Sequence, residues 1–266
     1  MNYPTQQGLL GGTLPYIAIG QGEPLLFVRT VTPESGNPTG ASRWAELKAL
    51  KAYAKSYKVY AVSRNPNLNV SDMSAFAAQY AEAIQSEFKK PVHIVGISTG
   101  GSLALQIAAD HPDQVKALAI IAASFRLSPE GKSLQSKYAR YLQKHDVRNA
   151  EKTLAPLITK TKIGEKAMGA LLWLTAPLAG KPEYEQMAAF LHAEDTFDLK
   201  DRLAAIPTPT LIIAGDKDKV YDINDAKTMA HTIPSATLKL HTGQGHRQVI
   251  ADSSVSKEVL QFFASA

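Results

Sequence analysis

The sequence predicts an α/β fold: a mostly parallel sheet with helices on both faces, interrupted once by an all-helical block. Three observations carry this. Short β-branched runs alternate with amphipathic helical stretches at both ends of the chain. L-L-F-V at 25–28 is continuously apolar and T-L-I-I-A at 210–214 is apolar after its threonine, as expected of strands buried on both faces. Between 124 and 200 no convincing strand pattern occurs.

Taken in order, residues 1–24 predict an entry strand or hairpin, apolar over 13–19 and closed by the turn residues G-Q-G-E-P, followed by a central strand over 25–28. The loop R-T-V-T-P-E-S-G-N-P-T-G at 29–40 leaves the C-terminal end of that strand, where open parallel sheets place ligands, and is a candidate site wall. A helix capped by Ser42 and running to about Tyr57 is predicted next, then a strand over 58–62, a loop over 63–70 and an amphipathic helix over 71–88 opened by Ser71-Asp72. A strand over 93–97, a helix over 99–111 and a strand over 115–122 complete this half.

The helical block reads as helices over 129–145, 147–161, 163–179 and 182–192, with Pro156, Pro177 and Pro182 ending or kinking some of them. Inserted between strands of a parallel sheet, residues 124–200 read as a cap on a core made of 1–123 and 201–266. The alternation resumes with a strand over 210–214, a turn G-D-K-D, a helix over 222–232, a strand over 237–241, the loop T-G-Q-G-H and a last helix ending near Ala264.

Composition narrows the function classes. The 266 residues are 45% hydrophobic and 20% charged, near the globular average. The formal charge of +5 is spread along the chain. Lys48, Lys51, Lys55 and Lys58 recur at helical spacing without aromatic interleaving, which fits a solvated helix face and not a nucleic-acid site. The absence of cysteine excludes disulfides, thiol nucleophiles and cysteine-ligated metals. No signal-peptide pattern or 18-residue apolar run occurs, so the expected setting is cytoplasmic, with no membrane partner. Neither H-E-x-x-H nor G-x-G-x-x-G occurs, so no metal or organic cofactor is expected, and the expected partner is a small-molecule substrate of a monomer or homodimer.

Gly96-Ile97-Ser98-Thr99-Gly100 fits G-x-S-x-G, a tight strand-to-helix turn that holds a serine hydroxyl exposed. It also aims the Thr99 backbone N–H, near a positive helix end, at an oxyanion forming on an attacked carbonyl. A serine needs a base within reach, itself oriented by a third group. His246 follows the last strand and Asp216 and Asp218 follow the one before it, so all lie at strand C-termini in the order serine, acid, histidine. The two aspartates compete for the acid role.

V-G-I-S-T-G-G-S, then A-A-D-H-P-D-Q-V, P-T-P-T-L-I-I-A-G-D-K-D and G-Q-G-H together resemble the α/β-hydrolase superfamily over nearly the whole chain. The resemblance implies the α/β-hydrolase fold and a helical lid over 124–200. It also implies Ser98 as nucleophile, His246 as base and then acid, and Asp218, three residues after the strand-end glycine, as the acid. Serine at 98 argues against dehalogenase or epoxide-hydrolase chemistry, which uses aspartate there. One departure stands out: where the family usually has His-Gly after the strand over 25–28, this chain has Arg29-Thr30. Val31 N–H would then be the second oxyanion donor beside Thr99 N–H, in a hole reshaped by Thr30 or including its hydroxyl. Arg29 and Thr30 are thereby candidate substrate contacts.

The leading expectation is a serine hydrolase cleaving a small apolar ester, lactone or related acyl bond through an acyl-enzyme. Alternatives are a lyase or cofactor-free oxygenase on the same fold, or a small-molecule receptor retaining the triad. The apolar stretch Met168, Leu171, Leu172, Trp173 and Leu174, with Phe190, Leu191 and Phe197, is expected mostly to pack the cap onto the sheet, with Trp173 lining the pocket.

Overall fold

Pairing of the apolar runs builds the molecule, whose computed structural model describes residues 4–32, 36–65, 67, 72–159, 161–178 and 184–266. β1 (Gln6–Leu10) and β2 (Leu14–Ile19) form an antiparallel hairpin whose turn places Gly11 and Gly12 at positive φ. β2 lies antiparallel to β4 (Tyr57–Val62), and the remaining strands run parallel: β3 (Glu23–Val28), β5 (Val92–Ile97), β6 (Val115–Ile121), β7 (Thr210–Gly215) and β8 (Ala236–His241). The eight-stranded order is β1-β2-β4-β3-β5-β6-β7-β8. The chain leaves β3 toward β4 and returns past β3 to β5, so the ends of β3 and β5 flank the point where strand order reverses, which is where such sheets bind ligands.

The pleat sends alternate side chains to opposite faces. Leu26 and Val28 of β3 join a core with Phe76 and Tyr80 of α2 (Met73–Glu87) and Leu103 and Ile107 of α3 (Thr99–Asp110). Leu25 and Phe27 join the opposite core, with Leu50 of α1 (Gly40–Leu50) and with Val259 and Phe263 near the C-terminus. The sheet is thus covered on both sides, as its continuous apolar strands require.

Helix boundaries depart from expectation in places. α1 starts after Thr39, not at Ser42, and stops at Leu50, followed by a 3-10 turn over Tyr53–Lys55. Asp72 caps α2 by accepting the Ser74 N–H at 3.1 Å; the expected starts at Ser71 and Pro182 lie outside the described residues.

Between β6 and β7 stand α4 (Pro129–Gln143), α5 (Val147–Lys152), α6 (Ala155–Ile158), α7 (Lys162–Thr175) and α8 (Tyr184–Thr196). The single helix expected over 147–161 is split because Pro156 has no N–H to return to the carbonyl of Lys152. Tyr138, Leu142, Ala150, Met187 and Leu191 form a small core of these inserted helices, and Val31 packs against it. After β7 come α9 (Ile223–Thr232), α10 (His246–Ala251) and α11 (Ser254–Ser265), two terminal helices where one was expected. Among the described residues no helix is long and apolar enough to cross a membrane.

Candidate active site

The turn between β5 and α3 is tight because its glycines let it be. Ser98 has φ 53° and ψ −128°, a backbone that L-residues adopt at a cost. It is held by the surroundings: Ser98 N–H donates to the Ile121 carbonyl at 2.9 Å, and its carbonyl accepts Gly101 N–H at 2.7 Å. A Cβ on Gly96 would stand 2.5 Å from the Gly100 carbonyl oxygen and 2.7 Å from Ala104 Cβ, so only glycine permits this approach of strand and helix.

His246 opens α10, and Gly245 N–H before it donates to the Gln248 side chain at 3.0 Å. Its Nε2 lies 3.0 Å from Ser98 Oγ and its Nδ1 2.8 Å from Asp218 Oδ2. Both contacts are good when the proton sits on Nδ1 and the Nε2 lone pair faces the serine. Asp218 Oδ1 accepts Val220 N–H at 2.8 Å and Tyr221 N–H at 3.2 Å, which fixes the carboxylate. Asp216, the competing aspartate, instead accepts Gly243 N–H at 2.7 Å, tying the loops after β7 and β8 together. Ser98 and His246 are buried, so the contacts between them operate away from bulk water. Of the other histidines, His93 is buried against the rings of Tyr57 and Phe263, and desolvation lowers its pKa to about 4.

Other residues singled out in the sequence are placed differently. Val31 N–H was expected to stand ready for an oxyanion; it donates to Thr99 Oγ1 at 2.6 Å, and Thr30 Oγ1 lies 3.1 Å from that same oxygen. The Arg29 guanidinium is taken up by partners other than Ser98, His246 and Asp218. It pairs with both Glu46 oxygens at 2.6 and 2.7 Å and donates to Asn37 at 3.0 Å and Ser63 at 2.8 Å. Trp173 turns to solvent with the Arg148 guanidinium 4.3 Å over its ring, and Leu171 and Leu174 are 52% and 65% exposed. This stretch of α7 therefore does not pack the inserted helices onto the sheet. α8 does, through Phe190 and Ala193, which join the core beneath the sheet's helices.

One polar cluster has no counterpart in the sequence reading. Glu194 of α8 is fully buried, and its Oε1 accepts Tyr221 O–H at 2.6 Å and Ser102 O–H at 2.8 Å. Burial raises its pKa to about 7 against those two hydrogen bonds. The Tyr221 ring stacks toward His246, with centroids 5.8 Å apart, so the cluster adjoins the imidazole. Its sequence signal was the spacing Met187, Phe190, Leu191, Glu194, which puts a carboxyl on an apolar helical stripe. A cavity of about 360 Å³ also opens beside the imidazole, lined by Pro156 and Leu157 of α6 with Lys217, Gly245 and His246, and without Ser98.

A serine, imidazole and carboxylate joined in series at strand C-termini form the arrangement used for nucleophilic acyl transfer. The model of the serine aminopeptidase S33 family matches residues 55–250, most of the chain. The chain belongs to this family of α/β-hydrolases. Among similar α/β-hydrolases, the monoacylglycerol lipase abhd6-B of Xenopus laevis is 25% identical over 71% of this chain and 58% of its own length. The chain thus spans little more than half of that relative. A non-heme haloperoxidase of Rhodococcus erythropolis is 26% identical over 92% of this chain and 94% of its own length. The crystal structure of an enol-lactonase from Burkholderia xenovorans LB400 covers 97% of this chain and 100% of its own at a TM-score of 0.76 and 18% identity, a likeness of fold.

Proposed function

We propose that this α/β-hydrolase is a serine hydrolase that cleaves a small apolar ester, lactone or related acyl bond through an acyl-enzyme. The observation that carries the reading is the unbroken chain Ser98 Oγ, His246 Nε2, His246 Nδ1, Asp218 Oδ2, with links of 3.0 and 2.8 Å, mounted on a strained, glycine-flanked turn.

In this mechanism Ser98 Oγ attacks the carbonyl carbon while its proton passes to His246 Nε2. The carbonyl electron pair moves onto oxygen, facing the N-terminus of α3 and the Thr99 amide. Asp218 stays ionised and stabilises the imidazolium through Nδ1–H, its second oxygen held by Val220 and Tyr221 N–H. Collapse breaks the bond to the leaving group, which takes the proton from Nε2. A water, deprotonated by the same imidazole, then attacks the acyl-enzyme and releases the acid and Ser98.

Helices α4–α8 form the cap over this site, and Val31, packed against their core, supplies an apolar wall. A lipase and an enol-lactonase among the relatives support an acyl bond to oxygen, and the serine aminopeptidase family model puts aminoacyl anilides into the panel that tests it.

The test is hydrolysis of a panel of short aryl esters, lactones and aminoacyl anilides by the wild type and by Ser98→Ala. The expected result is turnover of esters or lactones that vanishes in Ser98→Ala. Turnover unchanged in that variant overturns the reading.

A further inference from the structure

The hydrogen-bonding capacity of the Thr99 hydroxyl bears on the second oxyanion donor. A threonine hydroxyl has one proton to donate and two lone pairs with which to accept. On Thr99 Oγ1, the Val31 N–H at 2.6 Å takes one lone pair, because an amide N–H can only donate. Thr30 Oγ1, on an exposed residue, stands 3.1 Å away, and either hydroxyl of this pair can be the donor. With Thr30 donating, both lone pairs of Thr99 are filled and its proton remains to be given. The Thr99 amide heads α3, where a helix offers no internal acceptor. In that arrangement, two donors of one residue, next in sequence to Ser98, are free to meet a ligand.

We propose that the second donor to the oxyanion is the Thr99 side-chain hydroxyl, and that Val31 N–H acts behind it and not on the substrate. This rests on the acyl-enzyme reading above. As the bond from Ser98 Oγ to carbon forms, the carbonyl pair moves to oxygen and accepts hydrogen bonds from Thr99 N–H and Thr99 O–H. Thr99 keeps its proton throughout, and the pair returns when the leaving group departs. Val31 N–H and Thr30 O–H, both donating to the Thr99 oxygen, polarise its O–H bond and strengthen what it offers. This gives Thr30 a role consistent with its standing where the superfamily usually has glycine: it orients a hydroxyl.

The opposing account is that the Thr99 hydroxyl only covers Val31 N–H and swings away when substrate arrives. The two differ in what happens when the hydroxyl is removed. The probe is an alkyl fluorophosphonate: the Ser98 Oγ–P bond forms, the P–F bond breaks, fluoride leaves, the serine proton passes to His246, and the phosphonyl oxygen sits where the oxyanion would. The rate of Ser98 modification is followed by intact-protein mass spectrometry, with thermal melts of each variant as the check on folding.

Thr99→Val keeps a methyl over Val31 N–H and removes the donor, and is expected to slow labelling by about 10²–10³-fold, the range for loss of one such donor. Thr99→Ser restores the hydroxyl and is expected to recover most of the rate. Thr99→Ala uncovers Val31 N–H and is expected to stay slow, and with Thr99→Ser it decides the question alone if the valine variant does not fold. Thr99→Ala as fast as wild type or faster, or Thr99→Val unchanged, overturns the assignment while leaving the acyl-enzyme reading intact. A wild-type protein that is not labelled at Ser98 overturns both.

Discussion

His246 Nδ1 and Asp218 Oδ2 lie 2.8 Å apart, and the carboxylate's other oxygen is pinned by two backbone amides, so the aspartate cannot turn away from the imidazole. The pair fixes which ring nitrogen faces Ser98. Replacing Asp218 by asparagine keeps the shape but presents a group that can donate to Nδ1 and favour the wrong tautomer. Asp218→Asn is expected to lower kcat by about 10⁴-fold, as in the serine-protease triad. Asp216→Asn, which touches a loop amide and not the imidazole, is expected to stay close to wild type. Steady-state kinetics on the ester found active in the substrate panel decides it: equal losses in both variants would mean the acid is misassigned.

Arg29 belongs to the scaffold. Its side chain is 7% exposed, holds both oxygens of a Glu46 side chain that is 17% exposed, and reaches Asn37 and Ser63. Removing one partner of such a pair strands the other charge, so Arg29→Ala is expected to cost about 3 kcal/mol in urea unfolding. The KM of the folded fraction should move little. Trp173→Ala should leave KM unchanged as well, since its indole faces solvent beneath Arg148. A large rise in KM for either variant, with stability intact, would return that residue to the substrate site.

What the sequence made legible was local or periodic. The strand-to-helix turn at Ser98 depends on glycines within a few residues, and the strands announced themselves by continuous apolar runs. Asp218 was harder: two aspartates in one turn satisfy the same local rules, so the choice between them came from the family resemblance, and the structure sets Asp218 against His246 Nδ1 and Asp216 against Gly243 N–H. The orientation of α7 was not legible, because an apolar stretch records that a helix has an apolar face without recording whether anything covers it. Nor were the contacts of Glu194 with Ser102 and of Thr99 with Val31, which join residues 92 and 68 apart along the chain.

Gly100 tests how much the site depends on backbone proximity. A Cβ there would run into the carbonyls of Val28 and Arg29 at the end of β3, which are main-chain atoms with little room to give. Gly100→Ala is therefore expected to destabilise by about 1–3 kcal/mol and to push the 29–32 segment away from α3. Because that segment carries Val31 and Thr30, kcat should fall more than the loss of folded protein explains. A variant with wild-type melting and wild-type kcat would show that strand and helix can separate without cost.

Glu194 sets a pH dependence of stability. Its carboxyl is fully buried, and desolvation lifts its pKa from 4.5 to about 7 despite the hydroxyls of Tyr221 and Ser102; the neighbouring Asp195 pushes in the same direction. The unfolded chain keeps the ordinary value, so between these pH values the folded state binds more protons, and its stability falls as pH rises. The contribution is intact below about 4.5 and is lost as pH climbs through about 7, amounting to about 3 kcal/mol at the upper limit. Glu194→Gln retains an oxygen that accepts from Ser102 and Tyr221 but does not ionise. Urea unfolding at several pH values from 4.5 to 8 should show wild type losing stability relative to Glu194→Gln across that interval. Parallel curves for the two proteins would mean that the carboxyl is ionised throughout, its burial offset by the two hydroxyls.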